Sequence, residues 1–452
     1  MFNLIDLNSD RGGNTNDRMN TYDPLAKIEI VGPICTSKKA KPPVETAVKE
    51  LGPLGEYLVK NLDLTQENNK FTRGTVTPDG RLDLCKQNIG PDGAKFVGSV
   101  LSKNTHIKHL LMGDDSLGPQ GAKEVAQIIR ENPNLETIYL GCNYFKEEGS
   151  AYLADALKDN THIKNLWIKR NELGVGGAKN IASMIASNIH LETLDLITNV
   201  ITSEAMRIIV EEGFLKNPET KIKTLLLDSN PLGPEGYRYL SQIISDKRFN
   251  IETLSLEHTE PGDLGCKYLC EAMKENQSIK ELSLKSNHLP PSVGVYFGEM
   301  LAVNKALETI QFGHSKNYDI VGGLANKLND DAVKDILNGL KFSTKLNVID
   351  ITFNDYTEKS LAYMNDTLSS NKNIFIRFWL PINNETTSII HKKQFKRCKE
   401  RPMKKDFMTH VIKPIISEYR VSKEKKEKKD TIKLLNNTNN QIFENEPVTL
   451  IF

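Results

Sequence analysis

Apolar residues recur through residues 107–198 in one repeated phrase. Segments open at Ile107, Leu135, Ile163 and Leu191, 28 residues apart each time. The four openings are Ile107-x-x-Leu110-x-Met112, Leu135-x-x-Ile138-x-Leu140, Ile163-x-x-Leu166-x-Ile168 and Leu191-x-x-Leu194-x-Leu196. Three residues past each phrase stands Asp115, Asn143, Asn171 or Asn199. The phrase ends in the period-two alternation of a strand. The second half of the segment carries helical spacing: Gly121…Val125-Ala126, Gly149…Leu153-Ala154, Gly177…Ile181-Ala182. Between the two halves, Leu/Ile-Gly-Pro-x-Gly recurs at Leu51–Gly55, Ile89–Gly93, Leu117–Gly121 and Leu232–Gly236. It marks the entry into a helix, with Pro in the first turn, where its missing N–H costs nothing. A fixed period of this length predicts a solenoid in which each unit contributes one strand and one helix.

Phrase, length and second half together resemble the ribonuclease-inhibitor type of leucine-rich repeat. The resemblance implies an α/β horseshoe, with a parallel sheet on its concave side and helices outside. Ten repeats are expected. Leu82 and Leu84 are the strand leucines of the first, and the others start near Ile107, Leu135, Ile163, Leu191, Ile222, Ile251, Ile279, Leu307 and Leu346. An eleventh start at Ile374 carries Arg377 where an apolar residue belongs, and reads as a closing cap. Two spacings break the period. Leu191 to Ile222 is 31 residues, with the excess placed around Lys216–Thr220, and Leu307 to Leu346 is 39, with an insertion near Ser315–Lys327. Insertions in repeats become loops on one face.

The chain thus divides into a poorly ordered, polar arm (1–43), an N-terminal capping region (44–78), the repeats with their closing cap (79–381) and a basic, partly helical tail (382–452). Lys27–Val31 reads as a short strand in the arm, and residues 388–401 and 406–435 read as helical in the tail. The terminal Val-Thr-Leu-Ile-Phe could be a docking strand or a peptide motif.

The asparagines of the repeat (Asn143, Asn171, Asn199, Asn230, Asn287, Asn354) are expected to bond the backbone of the turn. Binding residues must come from the strand face that is not core. Reading outward positions down the strands gives Asp83, Leu111, Tyr139, Trp167, Asp195, Leu226, Ser255, Ser283, Gln311 and Asp350. Leu111, Tyr139 and Trp167 become lateral neighbours on a surface that should be polar. Gly113 and Gly141 beside them would leave room for a visitor, and Lys169, Arg170 and Asp195 edge the patch. An exposed apolar patch rimmed by charge, rich in Trp, Tyr and Arg, is the pattern of a protein-binding site. Alternatively, the three side chains pack on one another or lie under the N-terminal arm. Asp228, Glu257 and His258 beside Ser283, Lys285 and Ser286 could extend the contact or simply be a solvated sheet.

Charge and cysteines narrow the partners. The net charge of +1 gives no reason to expect nucleic acid, although the tail from Ile382 is net +7 and the rest net −6. The lysine-rich run 423–429 reads as a solvated helix face, with a nuclear-localisation or anionic-surface role as the alternative. The six cysteines (Cys35, Cys85, Cys142, Cys266, Cys270, Cys398) form neither a zinc spacing nor a disulfide framework. Cys266 and Cys270, four apart on a helix, could bind a metal, but small buried residues explain them without one. There is no signal peptide and no apolar run long enough to span a membrane. These points predict a reduced, cytoplasmic, monomeric protein without metal or cofactor.

No P-loop, His-Glu-x-x-His, Gly-x-Ser-x-Gly or EF-hand loop occurs. The absence of a P-loop removes the nucleotide-binding module that accompanies such repeats in innate-immune receptors. The expectation is a non-enzymatic adaptor or scaffold that binds a protein partner through its concave face. The rival is a GTPase-activating protein for a small Ran-like GTPase, since those proteins share the repeat type. Their repeats are followed by an acidic segment, whereas this tail is basic, and none of their functional residues maps onto this chain. A second rival places the working part in the basic tail.

Overall fold

The computed structural model describes residues 46–315, 322–380, 389–390 and 393–394. The arm with Lys27–Val31, part of the insertion near Ser315–Lys327, the tail helices and the C-terminal Val-Thr-Leu-Ile-Phe lie outside the described residues, as do Cys35 and Cys398. No helix among the described residues is long and apolar enough to cross a membrane.

The described chain forms one thirteen-stranded sheet in strict sequence order. Its first edge departs from the repeat pattern. Helices α1 (Ala47–Glu50) and α2 (Gly52–Lys60) precede β1 (Asn69–Lys70) and β2 (Thr75–Val76), and β2 pairs antiparallel with both β1 and β3 (Arg81–Asp83). The β2–β3 turn is Thr77-Pro78-Asp79-Gly80, in which Gly80 N–H donates to Thr77 O at 3.0 Å. Gly80 has φ +81°, and a Cβ there would meet the carbonyl oxygen of His106. Glycine is therefore required at this αL position, as in three-residue hairpin loops.

From β3 onward the strands are parallel: β4 (His109–Leu111), β5 (Thr137–Tyr139), β6 (Asn165–Trp167), β7 (Thr193–Asp195), β8 (Thr224–Leu226), β9 (Thr253–Ser255), β10 (Glu281–Ser283), β11 (Thr309–Gln311), β12 (Val348–Asp350) and β13 (Phe375–Arg377). A helix separates each pair, for example α4 (Gly118–Glu131), α5 (Lys146–Leu157) and α6 (Gly174–Ile185). The apolar residues of each phrase, such as Leu110, Met112, Ile138 and Leu140, are fully buried between sheet and helices. Each contributes about 1.5–3 kcal/mol by leaving water. Parallel strands stack about 4.8 Å apart and helices about 8–10 Å apart, so the sheet forms the inner, concave side of the curve.

The spacing anomalies have local explanations. The repeat from Leu191 to Ile222 carries a π-helical turn (Ile209–Gly213) followed by a 3-10 turn (Phe214–Lys216) after the helix Ser203–Ile208. One extra residue therefore enters the helix as a π-bulge. The loop after Asn217 takes the other two: five residues separate Asn217 from Ile222, against three from Asn188 to Leu191. Only part of the excess thus falls at Lys216–Thr220. The helices α10 (Val293–Val303) and α11 (Asp330–Leu340) approach through small residues. A Cβ on Gly298 would lie 2.5 Å from the carbonyl oxygen of Asp335.

The closing strand needs a correction of register. β12 and β13 pair Ile349 with Ile376 and Asp350 with Arg377. The inward residues are Ile376 and Phe378, both buried. Arg377 lies on the opposite face and occupies no apolar position. Counting from Ile374 is off by one, and a one-residue slip turns every side chain to the other face.

Candidate protein-binding face

Two ladders of asparagine hold the strand edges. In the first, each side-chain amide spans neighbouring repeats. Asn143 Nδ2 donates to Met112 O at 2.7 Å and Leu140 O at 2.9 Å, while Asn171 Oδ1 accepts from Asn143 N at 3.0 Å. Asn199 and Asn230 continue it. Asn326 fills the same place behind the insertion, accepting from the N–H groups of Asn287 and Leu289, both at 3.0 Å. These amides act structurally, as the repeat pattern predicts. The second ladder lies outside the repeat phrase: Asn104, Asn132, Asn160 and Asn188, again 28 apart, at the helix-to-strand loops. Asn188 Nδ2 donates to Leu157 O at 2.6 Å, and its Oδ1 accepts from Leu191 N at 2.8 Å. The even spacing was the signal for it.

On the outward side of the sheet, register places Leu111, Tyr139, Trp167 and Asp195 side by side. The predicted neighbours are real, but the predicted exposure is corrected. Leu111 and Asp195 are 0% exposed, Tyr139 1% and Trp167 4%. Part of the reason is local. The Tyr139 ring lies over Gly113, and the Lys169 stem and the Tyr139 hydroxyl crowd Gly141, so the glycines are filled by the sheet's own side chains. The Lys169 ammonium stands 5.5 Å from the Tyr139 ring centroid. The Tyr139 and Trp167 centroids are 6.4 Å apart with a 46° tilt, a favourable aromatic geometry. Burial pushes the Tyr139 phenol well above its ordinary pKa.

Arg170 is half-buried and sits beyond β6 at φ +56°, on the rim rather than on the sheet face. Asp195 Oδ1 accepts from Ile197 N at 2.9 Å, and both Arg170 and Asp195 make further interactions. The Trp167 indole Nε1 is buried and has no hydrogen-bond partner.

Farther along, the face carries buried charge rather than a solvated surface. Asp228 Oδ1 accepts from Glu257 N at 2.8 Å. Glu257 Oε1 accepts from Ser283 Oγ at 2.6 Å and pairs with Lys285 Nζ at 3.2 Å. Burial, then the Glu257 carboxylate, pushes the Asp228 carboxyl up to about 8. At the far edge Arg377 Nη1 meets Asp350 Oδ2 at 2.8 Å. Burial pushes the Asp350 carboxyl up, but Arg377 and Lys285 outweigh it and hold it below the usual range.

Cys266 and Cys270 are buried thiols on the helix Gly262–Glu275, and burial raises both pKa values. Cys85, Cys266 and Cys270 are free, but Cys142 is disulfide-bonded, so the expectation of a fully reduced chain is corrected there.

Strand-loop-helix periodicity, the asparagine ladder and the parallel sheet together define a leucine-rich-repeat solenoid of the ribonuclease-inhibitor type. Curated relatives carry the same repeats. The chain is 26% identical over 151 residues to the human NACHT, LRR and PYD domains-containing protein 13, a match covering 33% of this chain and 13% of that protein. It is 37% identical over 68 residues to ribonuclease inhibitor from Sus scrofa, 15% of each protein. The chain therefore spans a small fraction of the relatives it matches. No protein-family model matches. Among solved structures, a chain from the yeast Rad7 and Elc1 complex aligns over 66% of this chain and 68% of its own, with a TM-score of 0.45 and 13% identity.

Proposed function

We propose that this protein is a binding scaffold that holds another protein on its concave face, at Leu111, Tyr139, Trp167, Lys169, Arg170 and Asp195. The observation that carries the reading is the apolar row on the outward side of the sheet, ending in an indole N–H with no partner. A buried donor left unpaired costs about 1–3 kcal/mol, and a partner supplying a carbonyl or carboxylate would recover it. Trp, Tyr and Arg are the residues that dominate protein interfaces. One relative is named for inhibiting a ribonuclease, which is consistent with protein binding by this class of repeat. In this reading the protein works as a cytoplasmic monomer, without cofactor.

The test compares proteins captured by the wild type with those captured by Trp167→Phe and by Tyr139→Ala/Trp167→Ala. Because these side chains are buried, each variant is first checked by a circular-dichroism melt. Loss of a specific partner from a folded variant supports the reading; an unchanged partner set in both variants removes it.

A further inference from the structure

Members of the first asparagine ladder give a donor to the carbonyl three residues back. Asn143 Nδ2 donates to Leu140 O at 2.9 Å, Asn171 Nδ2 to Ile168 O at 2.8 Å, Asn230 Nδ2 to Leu227 O at 2.8 Å and Asn354 Nδ2 to Ile351 O at 3.1 Å. Thr259 stands where the next asparagine would be, and its hydroxyl donates to Leu256 O at 2.8 Å, again three residues back. The position therefore takes a donor even when the residue is not asparagine. A carbonyl one repeat earlier shares that donor: Asn143 Nδ2 also reaches Met112 O at 2.7 Å, and Asn171 Nδ2 reaches Leu140 O at 3.1 Å.

Asp115 breaks this rule. Its Oδ1 plays the amide oxygen: it accepts from Gln87 N at 2.8 Å, as Asn143 Oδ1 accepts from Asp115 N at 3.0 Å. The other oxygen, Oδ2, then takes the place of the amide nitrogen. By the spacing of the ladder, the carbonyls that converge there are Met112 O and Leu84 O. The side chain is 0% exposed, and Oδ2 has no hydrogen-bond donor. An ionised carboxylate only accepts, so it would set its charge against two carbonyl oxygens out of water.

We propose that Asp115 stays protonated in the folded protein and donates through Oδ2–H to these carbonyls, making the joint between the first two repeats a pH-sensitive latch. A neutral carboxylic acid has one acceptor oxygen and one O–H donor, which is what the amide of asparagine offers here. The surroundings favour the neutral form. Burial raises the Asp115 carboxyl well above its ordinary range, against the N–H groups of Gln87 and Asn88, and the Asp114 and Asp83 carboxylates raise it further. Burial also keeps the Cys85 thiol uncharged. Asn143, bonded to Asp115 N from the turn after β5, is neutral, and the basic residues of these turns, Lys86 and Lys146, do not outweigh the acids. Because the folded pKa is raised, the latch is closed in acid and opens as pH rises through that value. The proton passes to solvent, and the carboxylate left behind pushes the Met112 and Leu84 carbonyls away.

Two measurements on the full-length chain test this, both in an Asp228→Asn background so that the other buried, raised carboxyl does not titrate. The first is the infrared spectrum of the folded protein at neutral pH. The carbonyl band of a protonated carboxylic acid is expected, and Asp115→Asn should remove it; no difference between the two spectra means that Asp115 is ionised and overturns the proposal. The second is thermal denaturation against pH. Asp115→Asn supplies the donor permanently, so it should melt higher than its parent, with the gap widening to several degrees from about pH 5 to about pH 9. Hydrogen exchange at the alkaline end should be slower in the variant at residues 84–90 and 112–118. A gap that does not change with pH, or a variant that melts no higher than its parent in alkali, shows that Asp115 only fills space and carries no latch.

Discussion

The side-chain oxygen of Asn171 accepts the backbone N–H of Asn143 at 3.0 Å, so one amide ties two repeats across 28 residues of chain. The same side chain donates to Ile168 O at 2.8 Å and Leu140 O at 3.1 Å, all of it buried. Asn171→Ala would leave several backbone groups unpaired out of water. The expected loss is about 3 kcal/mol or more in urea unfolding, because each unsatisfied group costs about 1–3 kcal/mol.

The Asp228 carboxyl makes stability fall with rising pH. Its folded pKa, about 8, lies above the ordinary carboxyl value of 3.8, so between these values the folded state keeps a proton that the unfolded state has lost. Stability from this group therefore declines from about pH 4 to about pH 8. Asp228→Asn keeps an acceptor for Glu257 N–H and removes the titration. The variant should flatten the pH dependence across that window and melt several degrees higher at pH 8, as read by thermal denaturation.

Arg377 and Asp350 close the far end of the sheet with a pair that is largely out of water, the side chains being 21% and 3% exposed. Arg377→Ala strands a buried carboxylate and should cost about 3 kcal/mol. Arg377→Met combined with Asp350→Asn should recover most of that loss. If the double variant is no more stable than the single one, the pair is not the cause.

The close approach of α10 and α11 depends on Gly298. Gly298→Val places a Cβ within 2.5 Å of the Asp335 carbonyl oxygen, so helix backbones must part. A loss of about 1–3 kcal/mol is expected. Hydrogen exchange should rise first in α10, α11 and the strand β11 between them.

Much of this architecture is legible in the chain because its repeats are local. Leu110, Ile138, Leu166 and Leu194 announce their strands by period alone, and Asn143, Asn171 and Asn199 announce the ladder. The second ladder at Asn104, Asn132, Asn160 and Asn188 was equally visible but concealed among loop residues. Arg377 falls on an apolar position of the pattern only because Ile374, also apolar and buried, offers a start one residue late. Residues 209–216 hid a single-residue bulge that helical periodicity tolerates.

The sequence by itself determined the solenoid, its strand order and the identity of the Leu111–Tyr139–Trp167–Asp195 row, since a 28-residue period makes lateral neighbours a matter of counting. Tertiary structure decided what that row meets. Tyr139 folding over Gly113, Glu257 pairing with Lys285 and Asp350 with Arg377 all join residues 26 or more positions apart in the chain. Periodicity specifies which face a side chain takes. Whether that face is wet or dry depends on what packs across it, and that is set by shape and charge between distant parts of the chain.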